Sequence, residues 1–402
     1  MNVPEIRFKG FEGEWKTPKI KEIFDLRNGY TPSKSVKEYW ENGTIPWFRM
    51  EDIRAKGNVL SEAFQNISPL AVRGEGLFKE NSIILATTAT IGVHAKLIAG
   101  SLANQRFTNF TIRKSLSLSY ISDFVNYAFY KIDEWCIENT NSGGLLSVDI
   151  KSLLKQPFYT PVVKEQKKIA SFFLSLESNI KDSEKKLSSL QQTKAACLQS
   201  MFPKEGETVP KVRFKGFAGE WVKIKAKEIF KTFDERNKPY LPVLSACQDL
   251  RGMTPRKDSG YDISHDKSNE VTYKHVLPGQ FVIHLRSFQG GFAHASVEGI
   301  TSPAYTVFEF IDASKHCDYY WKYVFMSKEF IDSLKLITYG IRDGRSISFK
   351  EFAEMEFYCP SVEEQNKISE YLRTFDKKIE LETQRLEKLK QIKSACLDKM
   401  FV

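Results

Sequence analysis

The residues in this sequence that are best suited to chemistry are polar side chains in short loops beside predicted strands. Arginine can donate two hydrogen bonds to guanine, and asparagine or glutamine can pair in a similar way with adenine. The candidates for such base contacts are Thr88, Thr90, Asn104, Gln105, Arg106, Asn141 and Ser142 in the first half of the chain, and Arg286, Ser287, Gln289, Tyr339, Arg342 and Arg345 in the second. A single loop residue of these types is more often merely solvated, so the prediction applies to the loops as groups.

Basic residues near these loops are candidates for phosphate contacts, which position a protein on DNA without reading its sequence. They are Lys34, Lys37, Arg251, Arg256 and Lys257. The whole chain has a formal charge of +9 at pH 7, which by itself is a weak indication of an anionic partner. Most of this excess lies outside residues 165–202 and 363–402, so the loops and the elements that support them have the larger share.

Signatures of catalysis and of metal binding are missing from the sequence. It contains no GxxxxGK[ST] phosphate loop, no GxGxxG turn, no HExxH helix and no GxSxG elbow. An Asn-Pro-Pro-aromatic or Asp-Pro-Pro-aromatic tetrapeptide, which amino-methyltransferases use to hold the target amine, is also absent. The six cysteines form no CxxC pair, and the six histidines form no ligand-like pair with them. We therefore expect neither a catalytic residue nor a metal site in this chain.

An internal repeat organises the elements that must position these loops. Residues 3–24 and 209–230 share 15 of 22 positions, and residues 158–202 and 357–401 share 18 of 45. The middles of the two copies scarcely match. The repeat predicts two heads with a common frame and different loops. The expected boundaries are a first head at 1–160, a helix at 161–202, a linker at 203–208, a second head at 209–359 and a helix at 360–402.

Both copies of the second repeated block predict a long helix with a coiled-coil seam. Apolar residues recur at spacings of 4 and 3, which is the a/d stripe of a coiled coil, and a proline lies just upstream of each helix. The apolar seam residues are Ile169, Phe173, Leu176, Ile180, Leu187, Leu190, Ile368, Leu372, Phe375, Ile379, Leu386 and Leu389. We expect the two helices to pair antiparallel, because the second head separates them in the chain. The alternative is that each helix packs against its own head.

Each head is predicted to combine short strands with a helix. The predicted strands are 82–87, 93–98 and 107–112 in the first head and 280–285, 293–297 and 305–310 in the second, and the predicted helices are 120–135 and 318–334. The expected fold class is therefore α+β. Two tandem α/β heads, related by a pseudo-twofold axis, would be separated by two long antiparallel coiled-coil helices.

The repeated blocks resemble a known family. RFKGFEGEW with RFKGFAGEW, and EQKKI with EQNKI at the start of the long helices, closely resemble the specificity subunits of type I restriction-modification enzymes. The segment IPWF at 45–48, followed by Asp52-Ile53, also resembles the opening of many target recognition domains, whereas LPVL at 241–244 matches only weakly. The resemblance covers the whole chain. It implies that each head is a target recognition domain and that each long helix is a spacer.

The resemblance implies a non-catalytic subunit that binds double-stranded DNA. Each head would read one half of a bipartite, asymmetric site, the helix pair would set the gap, and adenine N6 would be methylated in each half. Two methyltransferase subunits would bind this chain, and restriction and translocase subunits would bind through them. S-adenosylmethionine, ATP and magnesium would then belong to these partners, and none of them to this chain.

The sequence also predicts where the protein is located. It has no window approaching 18 uninterrupted apolar residues and does not begin with the pattern of a signal peptide. We therefore expect a cytoplasmic protein with no membrane contact.

A different class of function stays open on the sequence. The chain would then be a coiled-coil scaffold that joins two protein partners through its heads without reading DNA. Phosphate contacts make DNA binding weaken steeply with salt, and a scaffold would show neither that dependence nor a preference among duplex sequences. A nuclease or methylase acting by itself is opposed by the missing motifs.

Overall fold

The computed structural model describes residues 2–402 except 142, 145, 205, 248–251, 259–266, 285–290 and 339–346. The chain divides into two units. The first contains Met1–Glu184 together with Arg385–Val402, and the second contains Lys185–Gln384. Both divisions fall inside long helices, so each unit contains one head, the start of the helix that follows that head and the end of the other long helix.

The first unit is built around a mainly antiparallel sheet. Its strands are β1 (Phe24–Asn28), β2 (Ile45–Phe48), β3 (Val59–Leu60), β4 (Asn66–Ile67), β5 (Ile83–Ala86), β6 (His94–Leu97), β7 (Leu102–Ala103), β8 (Phe107–Ile112), β9 (Thr140–Asn141) and β10 (Ser147–Val148). The main sheet has the order β1-β8-β5-β6-β3, and only the pair of β3 and β6 within it is parallel. A second sheet has the order β4-β2-β7, and β9 pairs with β10.

The helices of the first head pack on both faces of this sheet. They are α1 (Ile20–Ile23), α2 (Met50–Lys56), α3 (Ser122–Glu138) and α4 (Ile150–Leu153), and the long helix α5 (Val163–Ser200) follows. Helices α1, α3 and α4 pack on one face and α2 on the other. Side chains of a strand alternate between faces, so Ile83 and Leu85 of β5 join the core that contains α3. Ile84 and Ala86 enter the core on the opposite face. Both faces of the main sheet are therefore covered.

The second unit repeats this plan with shorter strands. Its strands and helices are β11 (Val222–Lys225), α6 (Ala226–Ile229), β12 (Phe230–Phe233), β13 (Leu244–Cys247), β14 (Gly252–Pro255), β15 (Lys274–Val276), β16 (Phe281–Ile283), β17 (Phe292–His294), β18 (Gly299–Thr301), β19 (Thr306–Phe310), α7 (Asp318–Met326), α8 (Lys328–Thr338), α9 (Phe349–Ala353), β20 (Glu356–Cys359) and α10 (Val362–Lys399). The main sheet has the order β12-β19-β16-β17, and β11 pairs with β20, β13 with β14 and β15 with β18. Phe281 faces the aromatic core with Phe230 and Trp321, while Val282 faces the opposite core.

The predicted strands are confirmed as β5, β6 and β8 in the first head and as β16, β17 and β19 in the second, with ends shifted by at most a few residues. The predicted helix at 120–135 is confirmed as α3. The single helix predicted at 318–334 is wrong, because Ser327 is extended between α7 and α8. The Ser327 hydroxyl accepts a hydrogen bond from the Phe330 amide, which is how serine stabilises a new helix start.

The long helices run antiparallel to each other within each unit. In the first unit Lys393 and Lys390 of α10 pair with Glu177 and Glu184 of α5, at 2.6 and 2.7 Å. In the second unit Lys186 of α5 lies 2.7 Å from Glu382 of α10. Residue numbers rise along one helix as they fall along the other, which is the expected antiparallel direction.

The predicted seam residues do not all pack helix against helix. Ile169 and Phe173 join the core of the first head, together with Met400 and Phe401, the two residues that follow α10. Ile368 and Leu372 join the core of the second head in the same way, with Met201 and Phe202 beside them. Leu176 and Leu386 are buried, and the remaining predicted seam residues, Ile180, Leu187, Leu190, Phe375, Ile379 and Leu389, are half-buried. Pairing between helices and packing against the heads therefore occur together.

Candidate nucleic-acid interface

Loops from four parts of the first head meet at one end of the main sheet. The Thr87 amide donates to the Arg106 carbonyl at 3.0 Å, and the Thr87 carbonyl accepts from the Val148 amide at 3.0 Å. The Thr31 hydroxyl lies 2.5 Å from Oε1 of Gln105. The predicted loops at 87–90 and 104–106 are thus brought together, and the loop after β1 joins them. β10 contacts the first of these loops and pairs with β9 at Thr140–Asn141.

The turn at 104–107 presents two exposed side chains among the predicted base contacts, Gln105 and Arg106. The Asn104 carbonyl accepts from the Phe107 amide at 3.1 Å, and Asn104 Oδ1 accepts from the Arg106 amide at 3.0 Å, an arrangement typical of asparagine at the first position of a turn. A Cβ at Gly29 would lie 2.2 Å from the Asn104 carbonyl oxygen, so only glycine permits this approach. Hydrogen bonds to the backbone and the close approach of Gly29 therefore hold the turn in one conformation.

The guanidinium of Arg106 extends from this fixed turn. Arg106 is exposed and makes no side-chain hydrogen bond or ion pair with any residue that the structure describes. The Lys34 side chain is likewise exposed and unpaired within the described ranges. Arg106 at this end of the sheet, and Lys34 three residues beyond Thr31, are thus available to an anionic or hydrogen-bonding ligand.

The other predicted contacts of the first head have different surroundings. Thr88 and Thr90 are half-buried, whereas Asn141 is exposed. Gln105 is exposed, and with Oε1 facing the Thr31 hydroxyl, its amide NH₂ is left to donate. Ser142 lies outside the described residues.

Sequence reasoning missed Arg73, which the fold brings to the same region. Its guanidinium lies over the Tyr30 ring, 5.0 Å from the centroid, and its amide donates to the Tyr30 hydroxyl at 3.0 Å. Trp47 holds the backbone of Tyr30, because the Trp47 indole N–H donates to the Tyr30 carbonyl at 2.9 Å. In the sequence, the IPWF segment at 45–48, which contains Trp47, was the signal that pointed to this region.

In the second head the structure tests few of the predicted contacts. Arg256 and Lys257 directly follow β14, and Arg256 Nε donates to the Ser245 hydroxyl at 3.3 Å. Lys257 is exposed. The other predicted residues, Arg251, Arg286, Ser287, Gln289, Tyr339, Arg342 and Arg345, lie outside the described residues.

The repeated blocks form the frame that supports these loops. Arg7 donates two hydrogen bonds to Glu165, at 2.7 and 2.8 Å, and Arg213 does the same with Glu364, at 2.7 Å each. The next residue, Gln166 or Gln365, accepts through Oε1 from the backbone amide just before α3 or α7. The RFKG and EQ motifs therefore join the head to the start of its long helix.

Two buried histidines, His94 and His294, are hydrogen-bonded to carboxylates. His94 Nδ1 lies 2.5 Å from Asp133 Oδ2, and His294 Nε2 lies 2.7 Å from Asp318 Oδ2. Burial raises the pKa of the Asp133 carboxyl, although His94 opposes the change. Burial lowers the pKa of His294 against the hydrogen bond with Asp318. Within the described ranges, no three metal-ligating side chains come together.

The family of the chain follows from a comparison with known proteins. Residues 12–192 and 215–391 each match the type I restriction modification DNA specificity domain. The chain belongs to this family. Such specificity subunits are generally non-catalytic, and the two matches coincide with the two copies of the repeat. Across the described residues, no helix combines the length and the apolar character needed to cross a membrane.

Two curated relatives of this specificity family match over part of their length. The specificity subunit of the type I restriction enzyme EcoprrI from Escherichia coli is 47% identical over 146 residues, which is 36% of either chain. The corresponding subunit of MjaIX from Methanocaldococcus jannaschii is 29% identical over 196 residues, which is 47% of this chain and 44% of that protein. The matched segments thus span less than half of these relatives.

The fold agrees with that of a solved specificity subunit. The S subunit of a type I restriction-modification system from M. genitalium has a TM-score of 0.59 with this chain at 14% sequence identity. The likeness covers 100% of this chain and 99% of that one. It shows that the two-headed α+β fold is shared.

Proposed function

We propose that this chain is the DNA-recognition subunit of a type I restriction-modification complex, and that each head reads one half of a bipartite, asymmetric site. The observation that carries the proposal is the meeting of loops at one end of the first head, where the guanidinium of Arg106 has no partner among the described residues. An arginine held on a fixed turn can read guanine in the major groove. Lys34 and Arg73 supply positive charge beside it for phosphate contacts.

The domain boundaries are part of this proposal. Residues 1–160 and 209–359 act as the two target recognition domains, and the helices within 161–202 and 360–402 act as spacers joined by the linker at 203–208. Each long helix has 38 residues, or a length of about 57 Å. Modules on one face of B-DNA sit about 34–36 Å apart per turn, so helices of this length can set an unread gap.

The chemistry belongs to partner subunits in this proposal. Two methyltransferase subunits bind this chain and methylate adenine N6 in each half-site, and the restriction and translocase subunits bind through them. S-adenosylmethionine, ATP and magnesium are accordingly bound by the partners. The missing catalytic motifs of the sequence support this division of labour.

The proposal is tested by selecting preferred duplexes from a randomised DNA pool with the complex of this chain and its methyltransferase subunits. We expect a split consensus sequence and an affinity that falls steeply with salt concentration. Arg106→Ala should weaken binding by about 1–3 kcal/mol and relax the preference at one position of one half-site. A protein scaffold would give no consensus and no steep salt dependence.

The matched control is Arg113→Ala. Arg106 precedes β8 and Arg113 follows it, so the two arginines lie at opposite ends of one strand. Arg113 is paired with Asp25 at 3.3 Å. Its removal should leave the consensus unchanged. An unaltered consensus with Arg106→Ala would remove Arg106 from the reading surface, and the absence of any consensus with the wild type would refute the proposed function.

A further inference from the structure

One carboxylate in the first unit joins three helices. Glu177 of α5 accepts a hydrogen bond from the Tyr127 hydroxyl of α3 at 2.8 Å and another from Lys393 Nζ of α10 at 2.6 Å. Tyr127 is fully buried, and about a quarter of the Glu177 and Lys393 side chains is exposed. The head, its own long helix and the end of the other long helix therefore meet at this cluster.

The second unit contains the same cluster. Asp376 of α10 accepts from the Tyr323 hydroxyl of α7 at 2.6 Å and is paired with Lys194 of α5. The carboxylates occupy corresponding positions of the repeat, as do the lysines, and each tyrosine is the sixth residue of its helix. The heads otherwise differ widely in sequence between the repeated blocks. We call Tyr127–Glu177–Lys393 and Tyr323–Asp376–Lys194 the anchor clusters.

The electrostatics of the second anchor cluster favour the ionised carboxylate. Burial by itself would raise the pKa of Asp376, but hydrogen bonds from Lys194 and Tyr323 hold that pKa below its usual value. A second lysine, Lys322 of α7, has its Nζ 3.7 Å from Asp376 Oδ2, and burial lowers the pKa of this lysine. An ionised Asp376 thus faces two lysines and a tyrosine hydroxyl.

The apolar seam alone leaves the register of the two helices ambiguous, because a seam with a seven-residue repeat can slip by seven residues and still pair. A slip in either direction would replace Lys393 by Leu386 or Met400 opposite Glu177. The same slip would replace Lys194 by Leu187 or Met201 opposite Asp376. Glu177 would then lose its cation in a partly buried site, which is unfavourable. Asp376 would keep only Lys322, whose Nζ lies 3.7 Å from the carboxylate.

We infer that the anchor clusters are positioning groups. They hold each head at one position along the paired helices, and the complex therefore selects one gap length between the half-sites. The inference rests on the proposed function. The carboxylate excludes slipped pairings of the helices, and the tyrosine hydroxyl ties the head to the register that the carboxylate selects. The groups join the head to the helices, so in this inference they act on the gap and not on the bases read.

The test uses the full chain in complex with its methyltransferase subunits. Duplexes carry the two wild-type half-sites separated by the native gap or by gaps one and two base pairs shorter or longer. The variant is Tyr127→Phe with Tyr323→Phe, which removes two hydroxyl groups and leaves the rings in place. Because each hydroxyl bonds to a carboxylate, we expect the preference for the native gap to fall on the order of tenfold. The base preferences within each half should be unchanged.

The control variant is Lys131→Ala. Lys131 of α3 pairs with the exposed carboxylate of Asp398 of α10 at 3.6 Å. It joins the same two helices without a buried carboxylate or a tyrosine hydroxyl, so its removal should leave the gap preference unchanged. A second variant pair keeps the test decisive if the double tyrosine variant folds poorly. Glu177→Lys should reduce the gap preference, and adding Lys393→Glu should restore it.

Three results would overturn the inference. The first is a folded double tyrosine variant, judged by its melting temperature, with the wild-type gap preference. The second is an equal weakening at every gap, which indicates that the clusters contribute only stability. The third is a loss of gap preference with Lys131→Ala as large as that with the tyrosine variant. A wild-type complex without any half-site preference would instead refute the proposed function.

Discussion

At the scale of single residues, the protein relies on buried ion pairs that occur twice. Glu165 is 1% exposed and Arg7 is 14% exposed, and their equivalents in the second unit, Glu364 and Arg213, are 2% and 18% exposed. A carboxylate removed from water to this extent needs a cation and several hydrogen bonds. The arginine supplies both and also donates to the Gly13 or Gly219 carbonyl. This explains why both copies retain the motif.

Removing the arginine of such a pair should therefore destabilise the unit that contains it. Arg7→Ala leaves Glu165 buried without a cation, and we expect the free energy of unfolding to fall by about 3 kcal/mol. Thermal unfolding of the purified chain measures this loss. The control is Arg236→Ala, since Arg236 pairs with Asp234 at the surface, and its melting temperature should stay close to the wild-type value. Equal melting temperatures for the two variants would contradict the role of the buried pair.

At the scale of elements, the two long helices combine two tasks. Their starts and their ends pack into the head cores, and their middles carry ion pairs such as Lys186 with Glu382. The helices are continuous over Val163–Ser200 and Val362–Lys399. The number of residues thus determines the length of each helix, and the residues at its two ends attach it to the heads.

Lengthening both helices by one heptad should lengthen the unread gap. Seven residues add about 10 Å of helix, which corresponds to about three base pairs at 3.4 Å each. Insertion after Glu184 and after Gln384 leaves the contacts of the ends and the phase of the seam intact. Sequencing the methylated sites of a host that carries the variant and its partners would measure the gap. Unchanged spacing, or altered half-site sequences, would contradict the proposed role of the helices.

At the scale of the whole molecule, each unit is assembled from distant parts of the chain. The core of the first head contains Met400 and Phe401 beside Trp15, and the core of the second contains Met201 and Phe202 beside Trp221. The repeated blocks supply these contacts in both units. The unmatched middles supply the sheets and loops that differ, so the two heads share a frame and differ in the surfaces that we propose read DNA.

Exchange of the middle segment should consequently change one half-site only. We expect replacement of residues 31–145 by the corresponding segment of another family member to alter one half of the recognised sequence and leave the other half and the gap unchanged. The donor segment must keep a tyrosine at the position of Tyr127. Methylated-site sequencing is the readout. A change in both halves would show that the heads read the DNA jointly.

The sequence by itself determined the repeat, the two long helices, their antiparallel direction and most strands of the heads. These features depend on local periodicity, on identities between the copies or on the order of the elements along the chain, all of which can be read without coordinates. The sequence also indicated the family through RFKG and EQ, but not what these residues contact. Only the tertiary structure joined Arg7 to Glu165 and Tyr127 to Glu177. The reason is physical, since such partners are many residues apart and their meeting depends on how the head packs on its helix.

The structure also decided which loops act together and where one helix ends. Thr87 meets Arg106 because β5 and β8 are neighbours in the sheet, a pairing that strand propensity does not specify. Ser327 interrupts an apolar helical pattern because its hydroxyl stabilises the start of α8. The Arg73 guanidinium lies over the ring of Tyr30, whose amide bonds to Ala103 beside the turn at 104–107. In each case a long-range contact or a side-chain hydrogen bond, and not a local preference, determines the structure.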